Sequence, residues 1–297
     1  MFYSNWMSYI KDDAKITKIA MPGSHNSATM GMNKLGRCQC GSLYEQYLCG
    51  VRYFDIRIKA KRNGELIIAH GIMNGMPVRE AFENLRKIFD ESDEFFVISI
   101  QTYMNQGFGP IKLSYNSNTP EANRLIREYL SPEKYALTEY ENIGNMTMGD
   151  IRKSGKKYII INANQEYDYS CNCPFIGPWD PVVYGYKPEI FIKEIQKYLV
   201  DLETEGFFWF QTQLTPNPGA YSGWKKWPDD LDKPIRKLFP QLIEDIAADP
   251  VKLEKINIIA GDFMSQDYMK ANHILRLNLL KDTVKEELRE KFSNCVK

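Results

Sequence analysis

The chain has 297 residues, of which 43% are hydrophobic and 13% aromatic, and it carries 38 basic and 38 acidic side chains. This composition is sufficient for a large core and excludes global disorder. A net charge of zero argues against a generic nucleic-acid binder, because such proteins usually carry a basic excess. No apolar run approaches the roughly 18 residues that a membrane span needs. We also expect no signal peptide in this chain, so its location is either cytoplasmic or, if a signal was removed, secreted.

Seven segments rich in Val, Ile, Phe and Tyr predict strands, and five amphipathic segments predict helices. The predicted strands are 16–21, 51–58, 66–70, 95–102, 158–162, 207–214 and 256–263; the predicted helices are 78–89, 121–129, 190–202, 231–247 and 268–292. Their alternation indicates parallel βαβ units. Because no glycine-rich nucleotide turn is present, the strand number favours a closed β/α barrel over an open sheet. No linker or repeat marks a domain boundary.

The sequence contains three histidines, and two of them lie at the ends of predicted strands. His25 follows the first strand, and His70 ends the strand 66–70. In a barrel, this carboxyl end of the strands is the catalytic face. His273 lies within a predicted helix and is expected to be structural. Either strand-end histidine alone is more simply read as a hydrogen-bonded structural residue, but the pair favours a catalytic site.

Three further charged residues extend this cluster. Asp55 and Arg57 are two residues apart in one strand, so their side chains point to the same face. An intrastrand ion pair is the alternative, although burying one without a function is costly. Asp262 ends the last predicted strand, and barrel closure would bring it beside His25. Two imidazoles, a guanidinium and two carboxylates suit acid–base catalysis of in-line displacement at phosphorus.

Six cysteines include two C-x-C pairs, Cys38 with Cys40 and Cys171 with Cys173. Four thiolates can bind zinc, but structural zinc sites prefer wider spacing within each pair. Free or bridged loop cysteines are the simpler interpretation.

Several short segments resemble the bacterial phosphatidylinositol-specific phospholipases C of the X-domain superfamily. They are residues 5–7, 22–25, 50–57, 69–71, 148–152 and 259–263, and they occur in the family's order along nearly the whole chain. The resemblance implies an α/β fold, a single irregular TIM-type barrel that forms one catalytic domain over residues 1–297. It also implies a phospholipase C-type lyase that cleaves phosphatidylinositol, or a glycosylated derivative, to diacylglycerol and a cyclic inositol phosphate without a covalent intermediate.

The resemblance assigns a role to each residue of the charged cluster. His25 would be the general base that takes the proton from the inositol 2-hydroxyl, and His70 the general acid that protonates the leaving diacylglycerol oxygen. Arg57 would contact the phosphate. Asp262 would partner His25, and Asp55 would support Arg57 and His70.

The same comparison bears on metal and on substrate contacts. In the calcium-dependent eukaryotic branch, the position of Arg57 is an acidic metal ligand, so we expect no metal and no cofactor here. Asn26 stands where the secreted enzymes have aspartate; it can hydrogen-bond but cannot stabilise a protonated His70 by charge. Gln101 stands where the secreted enzymes have lysine, and Tyr186 matches their ring-stacking tyrosine. These departures predict altered head-group contacts.

The expected partner is a phospholipid at a membrane surface, approached by a monomer without a transmembrane span. Residues 220–227, which include Trp224, combine aromatic and lysine side chains that suit a membrane interface; a cap on the barrel core is the alternative. Two other functions stay open. One is an inositol-lipid-binding barrel without turnover, which would need no acid–base pair. The other is a metal-dependent glycerophosphodiesterase or sphingomyelinase D-like enzyme, which Arg57 disfavours.

Overall fold

The computed structural model describes residues 1–103, 105–108, 111–114, 117–162, 166–178, 187–215 and 227–296. The strands are β1 (Met21–Ser24), β2 (Tyr53–Ala60), β3 (Leu66–His70), β4 (Met73–Pro77), β5 (Phe96–Thr102), β6 (Asn105–Phe108), β7 (Ile111–Ser114), β8 (Tyr158–Asn162), β9 (Ser170–Cys171), β10 (Phe175–Ile176), β11 (Phe207–Gln211) and β12 (Ile258–Gly261). The helices are α1 (Leu43–Leu48), α2 (Val78–Glu91), α3 (Thr119–Leu125), α4 (Pro132–Tyr135), α5 (Met148–Ser154), α6 (Pro188–Ile195), α7 (Tyr198–Asp201), α8 (Pro228–Ala247), α9 (Pro250–Lys255), α10 (Met269–Leu280) and α11 (Arg289–Cys295).

Eight parallel strands form one curled sheet in the order β10-β11-β12-β1-β2-β5-β8-β9. Its two edge strands, β9 and β10, are separated by only residues 172–174 of the chain. Four Cα–Cα steps span at most about 14 Å, so the two edges lie within about three strand spacings of each other. No ladder joins β9 to β10 within the described residues, which makes the barrel irregular. The predicted α/β architecture, an irregular TIM-type barrel, is confirmed.

Side chains alternate between the barrel interior and the surrounding helices. Tyr53 of β2 packs inside with Trp209 and Ile258, whereas Phe54 packs outside in the cluster that contains the apolar face of α2. Trp6, with its N-terminal neighbours, belongs to the interior cluster. Because the period is two, Asp55 and Arg57 continue the interior row that begins at Tyr53. The interior therefore changes from apolar to charged toward the carboxyl end of β2.

The first predicted strand was placed too early in the chain. Ile16–Lys18 form a 3-10 helix, and β1 begins only at Met21. Pro22 and Gly23 argue against a strand by propensity, yet a Cβ at Gly23 would lie 2.9–3.1 Å from side chains of Tyr53, Ile258 and Ala260. Close approach of three strands therefore requires glycine here, and this tertiary demand outweighs propensity.

The strand 66–70 has the predicted bounds but not the predicted direction. It runs antiparallel to β2, with Ile58 opposite Ile68, and then pairs with β4 in a hairpin. The prediction of a parallel barrel strand at this position is wrong. His70 nevertheless returns to the level of residues 55–57 of β2, because β3 folds back along the same strand.

Predicted helices are confirmed most closely at α2 and α8. The predicted helix 268–292 is wrong as one element: it ends at Leu280, and α11 begins at Arg289. Between them Asp282 adopts a φ of +53°, and Val284 forms a β-bridge with Ile10. Among the described residues, no helix has the length and apolar character needed to span a bilayer.

Candidate active site

The site begins where β1 and β12 end. These neighbouring strands pair in parallel with Ser24 opposite Gly261, so the next residues, His25 and Asp262, emerge side by side. The backbone N–H of His25 donates to the Gly261 carbonyl at 3.1 Å. His25 Nδ1 lies 2.8 Å from Asp262 Oδ1, and both side chains are buried. The predicted pairing of His25 with Asp262 is thus present in the structure.

The hydrogen bonds around His25 define its tautomer. Nδ1 faces the Asp262 carboxylate and donates its proton there, whereas Nε2 lies 2.9 Å from Asn26 Nδ2 and accepts from it. Burial lowers the pKa of His25, and the Arg57 charge lowers it further. Burial raises the pKa of Asp262, an effect opposed mainly by the Lys270 ammonium group. The arrangement holds a neutral imidazole whose basic lone pair is on Nε2.

Asp55 and Arg57 form a partly buried ion pair on β2. Arg57 Nε lies 2.9 Å and Nη2 2.8 Å from Asp55 Oδ2. Asp55 is fully buried and also accepts from the backbone N–H of Asn26 at 3.0 Å and from Gln101 Nε2 at 3.1 Å. Arg57 Nη1 donates to the Tyr103 hydroxyl at 3.2 Å. The carboxylate thus fixes the guanidinium from one side.

His70 faces His25 across the mouth of the barrel. The two imidazole centroids are 6.1 Å apart, and the rings are nearly perpendicular, at 87°. His70 Nδ1 donates to the Gly36 carbonyl at 3.0 Å. Burial lowers the pKa of His70 to about 4, and the neighbouring His25 and Arg57 add to this effect. Without a bound anion, both imidazoles are therefore neutral near pH 7.

Asn26 contacts His25, whereas the family resemblance relates this position to His70. Its Nδ2 bonds to His25 Nε2 and lies 3.7 Å from Cys38 Sγ. Its backbone adopts a φ of +46°, a conformation in which Asn is among the better tolerated residues. The Asn26 Oδ1 atom is buried and has no hydrogen-bond partner among the described residues. Asn26 Oδ1 can therefore accept a hydrogen bond from a polar group that enters the site.

Several contributing residues were not predicted. Gln39 Nε2 donates to the carbonyls of His25 and Gly261, at 2.8 and 3.0 Å, and so ties the ends of β1 and β12 together. Lys270 Nζ donates to the Asp262 carbonyl at 2.6 Å and to Asp232 at 2.5 Å. These residues come from loops and helices, where no period or strand end in the sequence identifies them.

Cys38 is the remaining unpredicted member of the site. Its Sγ lies 3.5 Å from His70 Nδ1, and its thiol also contacts the Asp262 carboxylate. Burial raises the pKa of this thiol well above its usual range. All six cysteines are free thiols, and within the described ranges the two C-x-C pairs do not form a common cluster.

Two predicted substrate contacts lie outside the described residues, namely Tyr186 and Trp224. The other seven predicted site residues are close neighbours at the carboxyl end of the barrel.

Comparisons with known proteins identify similar sequences and a similar fold. Residues 13–106 match the family model for the phosphatidylinositol-specific phospholipase C X domain. A 1-phosphatidylinositol phosphodiesterase of Staphylococcus aureus (strain Newman) is 25% identical over 170 residues, which cover 53% of this chain and 50% of that protein. A PI-PLC X domain-containing protein of Dictyostelium discoideum is 28% identical over 119 residues, or 31% of this chain and 20% of that protein. The chain spans about half the length of the S. aureus relative that it matches.

Solved structures extend the likeness over nearly the whole fold. The phosphatidylinositol-specific phospholipase C of Listeria monocytogenes aligns with a TM-score of 0.68 at 17% identity, covering 93% of this chain and 98% of that one. A structure of the S. aureus enzyme aligns with a TM-score of 0.67 at 15% identity, covering 93% and 97%. At these identities the structural match establishes the barrel fold, and the family model identifies the segment that carries both histidines. The barrel fold and the match over residues 13–106 thus make this chain similar to the phosphatidylinositol-specific phospholipase C X-domain family.

Proposed function

We propose that this chain is a phospholipase C that cleaves phosphatidylinositol, or a glycosylated derivative, into diacylglycerol and a cyclic inositol phosphate. The observation that carries the proposal is the pair of imidazoles, His25 and His70, whose centroids are 6.1 Å apart beside the Arg57 guanidinium. A phosphodiester between the rings places one imidazole near the attacking oxygen and the other near the leaving oxygen, as in-line displacement requires. The similarity to a 1-phosphatidylinositol phosphodiesterase and to a phosphatidylinositol-specific phospholipase C supports phosphatidylinositol as the substrate class.

His25 is proposed as the general base. Its Nδ1–H donates to Asp262, which leaves the lone pair of Nε2 for the inositol 2-hydroxyl. That lone pair accepts from Asn26 Nδ2, so the substrate hydroxyl must displace the amide. Nε2 then takes the hydroxyl proton as the oxygen attacks phosphorus, and Asp262 stabilises the imidazolium that forms.

His70 is proposed as the general acid, and the substrate itself is expected to charge it. Its Nδ1–H is held by the Gly36 carbonyl, and among the described residues no group bonds to Nε2. Because its pKa is about 4, His70 is almost entirely neutral at pH 7. A phosphodiester anion nearby stabilises the imidazolium and raises this pKa. Protonated Nε2 then gives its proton to the diacylglycerol oxygen as the P–O bond breaks.

Arg57 is proposed to bind the non-bridging phosphoryl oxygens. Asp55 and Tyr103 fix the guanidinium through three of its nitrogens, and further N–H donors of the fork stay available for an anion. Donors held in place before the reaction stabilise charge that develops on the phosphoryl group. Gln101 and Asn26 also bond to Asp55, so we propose that they shape the head-group site through this carboxylate.

We also propose that one barrel over residues 1–297 acts as a monomer at a membrane surface. Leu35 and Ile72 are 51% and 43% exposed. Leu35 precedes Gly36, whose carbonyl accepts the His70 hydrogen bond, and Ile72 lies two residues after His70. Exposed apolar side chains beside a catalytic mouth suit contact with the acyl boundary of a bilayer. Replacing both with Ser is expected to slow cleavage of vesicle lipid without changing hydrolysis of a soluble cyclic inositol phosphate. Leu280→Ser is the matched control, because Leu280 is 58% exposed at the far end of α10.

The test of the activity is release of diacylglycerol from phosphatidylinositol vesicles, with and without excess chelator. The proposal expects release under both conditions. Vesicle binding without release would favour a binding barrel. Loss of release on chelation, with restoration by calcium or magnesium, would favour a metal-dependent phosphodiesterase and contradict the role given to Arg57.

A further inference from the structure

The Cys38 thiol has no part in the proposed acid–base chemistry, yet it lies at the centre of the site. It is 1% exposed, contacts the Asp262 carboxylate and lies 3.5 Å from His70 Nδ1. One donor atom each from His25, Cys38 and Asp262 lies within 4.8 Å of the other two. Within the described ranges, no other group of three or more His, Cys, Asp or Glu side chains is this compact.

The three donors are an imidazole nitrogen, a sulfur and a carboxylate oxygen, and this set selects a particular kind of cation. Calcium and magnesium prefer oxygen ligands, whereas zinc and related ions bind nitrogen, thiolate sulfur and oxygen together. Zinc bonds of about 2.0–2.3 Å in a tetrahedral array need donors roughly 3.3–3.7 Å apart. The 2.8 Å separation of His25 Nδ1 and Asp262 Oδ1 must therefore open by about half an ångström. His70, whose Nδ1–H donates to the Gly36 carbonyl, is not part of this group, and a water molecule can supply the fourth ligand.

Charge and hydrogen bonding also fit a bound dication. A thiolate and a carboxylate together neutralise two positive charges, which limits repulsion from the nearby Arg57. When His25 binds the cation through Nδ1, its single proton moves to Nε2. The buried Asn26 Oδ1, which has no partner among the described residues, can accept that proton's hydrogen bond after the amide turns over. The Cys38 proton is released to solvent, because a thiol binds zinc as the thiolate.

We propose that His25, Cys38 and Asp262 form an inhibitory site for a divalent cation of the zinc class. When the cation is bound, His25 can no longer act as the general base. This regulatory inference rests on the proposed phospholipase activity, but the metal site itself does not. It is also separate from the position of Arg57, which the family resemblance relates to calcium.

The first experiment measures metal binding without activity. Chelator-treated protein is titrated with Co²⁺, and the near-ultraviolet thiolate-to-cobalt absorption is followed. We expect one equivalent to bind with this absorption, and Zn²⁺ to displace it. Cys38→Ser should abolish the absorption, whereas the control Cys49→Ser, at a half-buried thiol outside the cluster, should retain it. Cys38→Ala provides a second variant if the serine protein folds poorly. Retention of the absorption in both Cys38 variants would overturn the site.

The second experiment measures diacylglycerol release at increasing Zn²⁺. Wild type and Cys49→Ser should be inhibited and then restored by chelator. Cys38→Ser, with inhibition expressed relative to its own metal-free rate, should need at least a hundredfold more Zn²⁺ for half-inhibition. Equal inhibition of all three proteins would overturn the regulatory inference. If no protein releases diacylglycerol under any condition while Cys38-dependent cobalt binding persists, the proposed function fails and the metal site stands.

Discussion

Lys270 offers a direct test of how the protein scaffold supports the Asp262–His25 pair. Its ammonium group is 1% exposed and bonds to both Asp232 Oδ1 and the Asp262 carbonyl. Lys270→Met would leave the buried Asp232 charge without this partner. Removing one partner of a buried ion pair costs about 3–5 kcal/mol of unfolding free energy. We therefore expect a loss of that size in urea unfolding at pH 7.

The double variant Lys270→Met with Asp232→Leu separates stability from catalysis. Replacing both charges by apolar groups is often nearly neutral, so the remaining cost should be about 1–3 kcal/mol for the unpaired Asp262 carbonyl. Arg236, which lies 3.8 Å from Asp232, keeps its ion pair with Asp267. Stability should therefore largely return.

Activity should not return with it. Lys270 is the main group that opposes the burial-raised pKa of Asp262, so without it the carboxylate is harder to ionise. We expect kcat for phosphatidylinositol to stay about tenfold low, a loss of about 1.4 kcal/mol in transition-state stabilisation. The acid limb of its pH profile should also move to higher pH. Full recovery of both stability and kcat in the double variant would refute this reasoning, as would a cost below 1 kcal/mol in Lys270→Met.

Three other predictions follow from the same geometry. Folded His70 stays neutral down to about pH 4, whereas the unfolded imidazole binds a proton near pH 6.5, so unfolding free energy should fall from pH 7 to pH 5. His70→Gln should remove about 2 kcal/mol of that fall. The pKa values of His25 and Asp262 are shifted in opposite directions, so their contributions to the pH dependence largely cancel. An unchanged slope in His70→Gln would contradict a neutral His70. Gly23→Ala places a methyl group 2.9–3.1 Å from side chains of adjacent strands and should cost about 1–3 kcal/mol in urea unfolding, so wild-type stability would show that the strands are less closely packed. Arg57→Lys should lower kcat by about a hundredfold or more with the fold retained by circular dichroism, because an ammonium group cannot reproduce the guanidinium fork; near-normal turnover would exclude that role.

The five catalytic residues that the sequence predicted share one property: each follows from strand periodicity or from a strand end. Asp55 and Arg57 lie on the same face of β2 because side chains alternate. Asp262 lies beside His25 because β12 and β1 are neighbours, which barrel closure requires. These inferences need only the approximate bounds of the strands.

The residues that were not predicted lie on loops and helices, and the sequence pattern does not define where these segments approach the site. Cys38 and Gln39 reach the site through a segment without helix or strand, and Lys270 reaches it from α10. The direction of β3 was also missed, because an apolar run of five residues reads the same in a parallel strand and in a hairpin. His70 still reaches the site, since the antiparallel β3 returns it to the level of Asp55 and Arg57.

The most direct test of the central claim is ³¹P NMR of phosphatidylinositol vesicles incubated with the protein in excess chelator. We expect the first new resonance to be that of a cyclic inositol phosphate, with one diacylglycerol released per product. His25→Ala and His70→Ala should each slow its appearance by at least about a hundredfold while the fold is retained. A phosphomonoester as the first product, or near-wild-type turnover in His25→Ala, would contradict it.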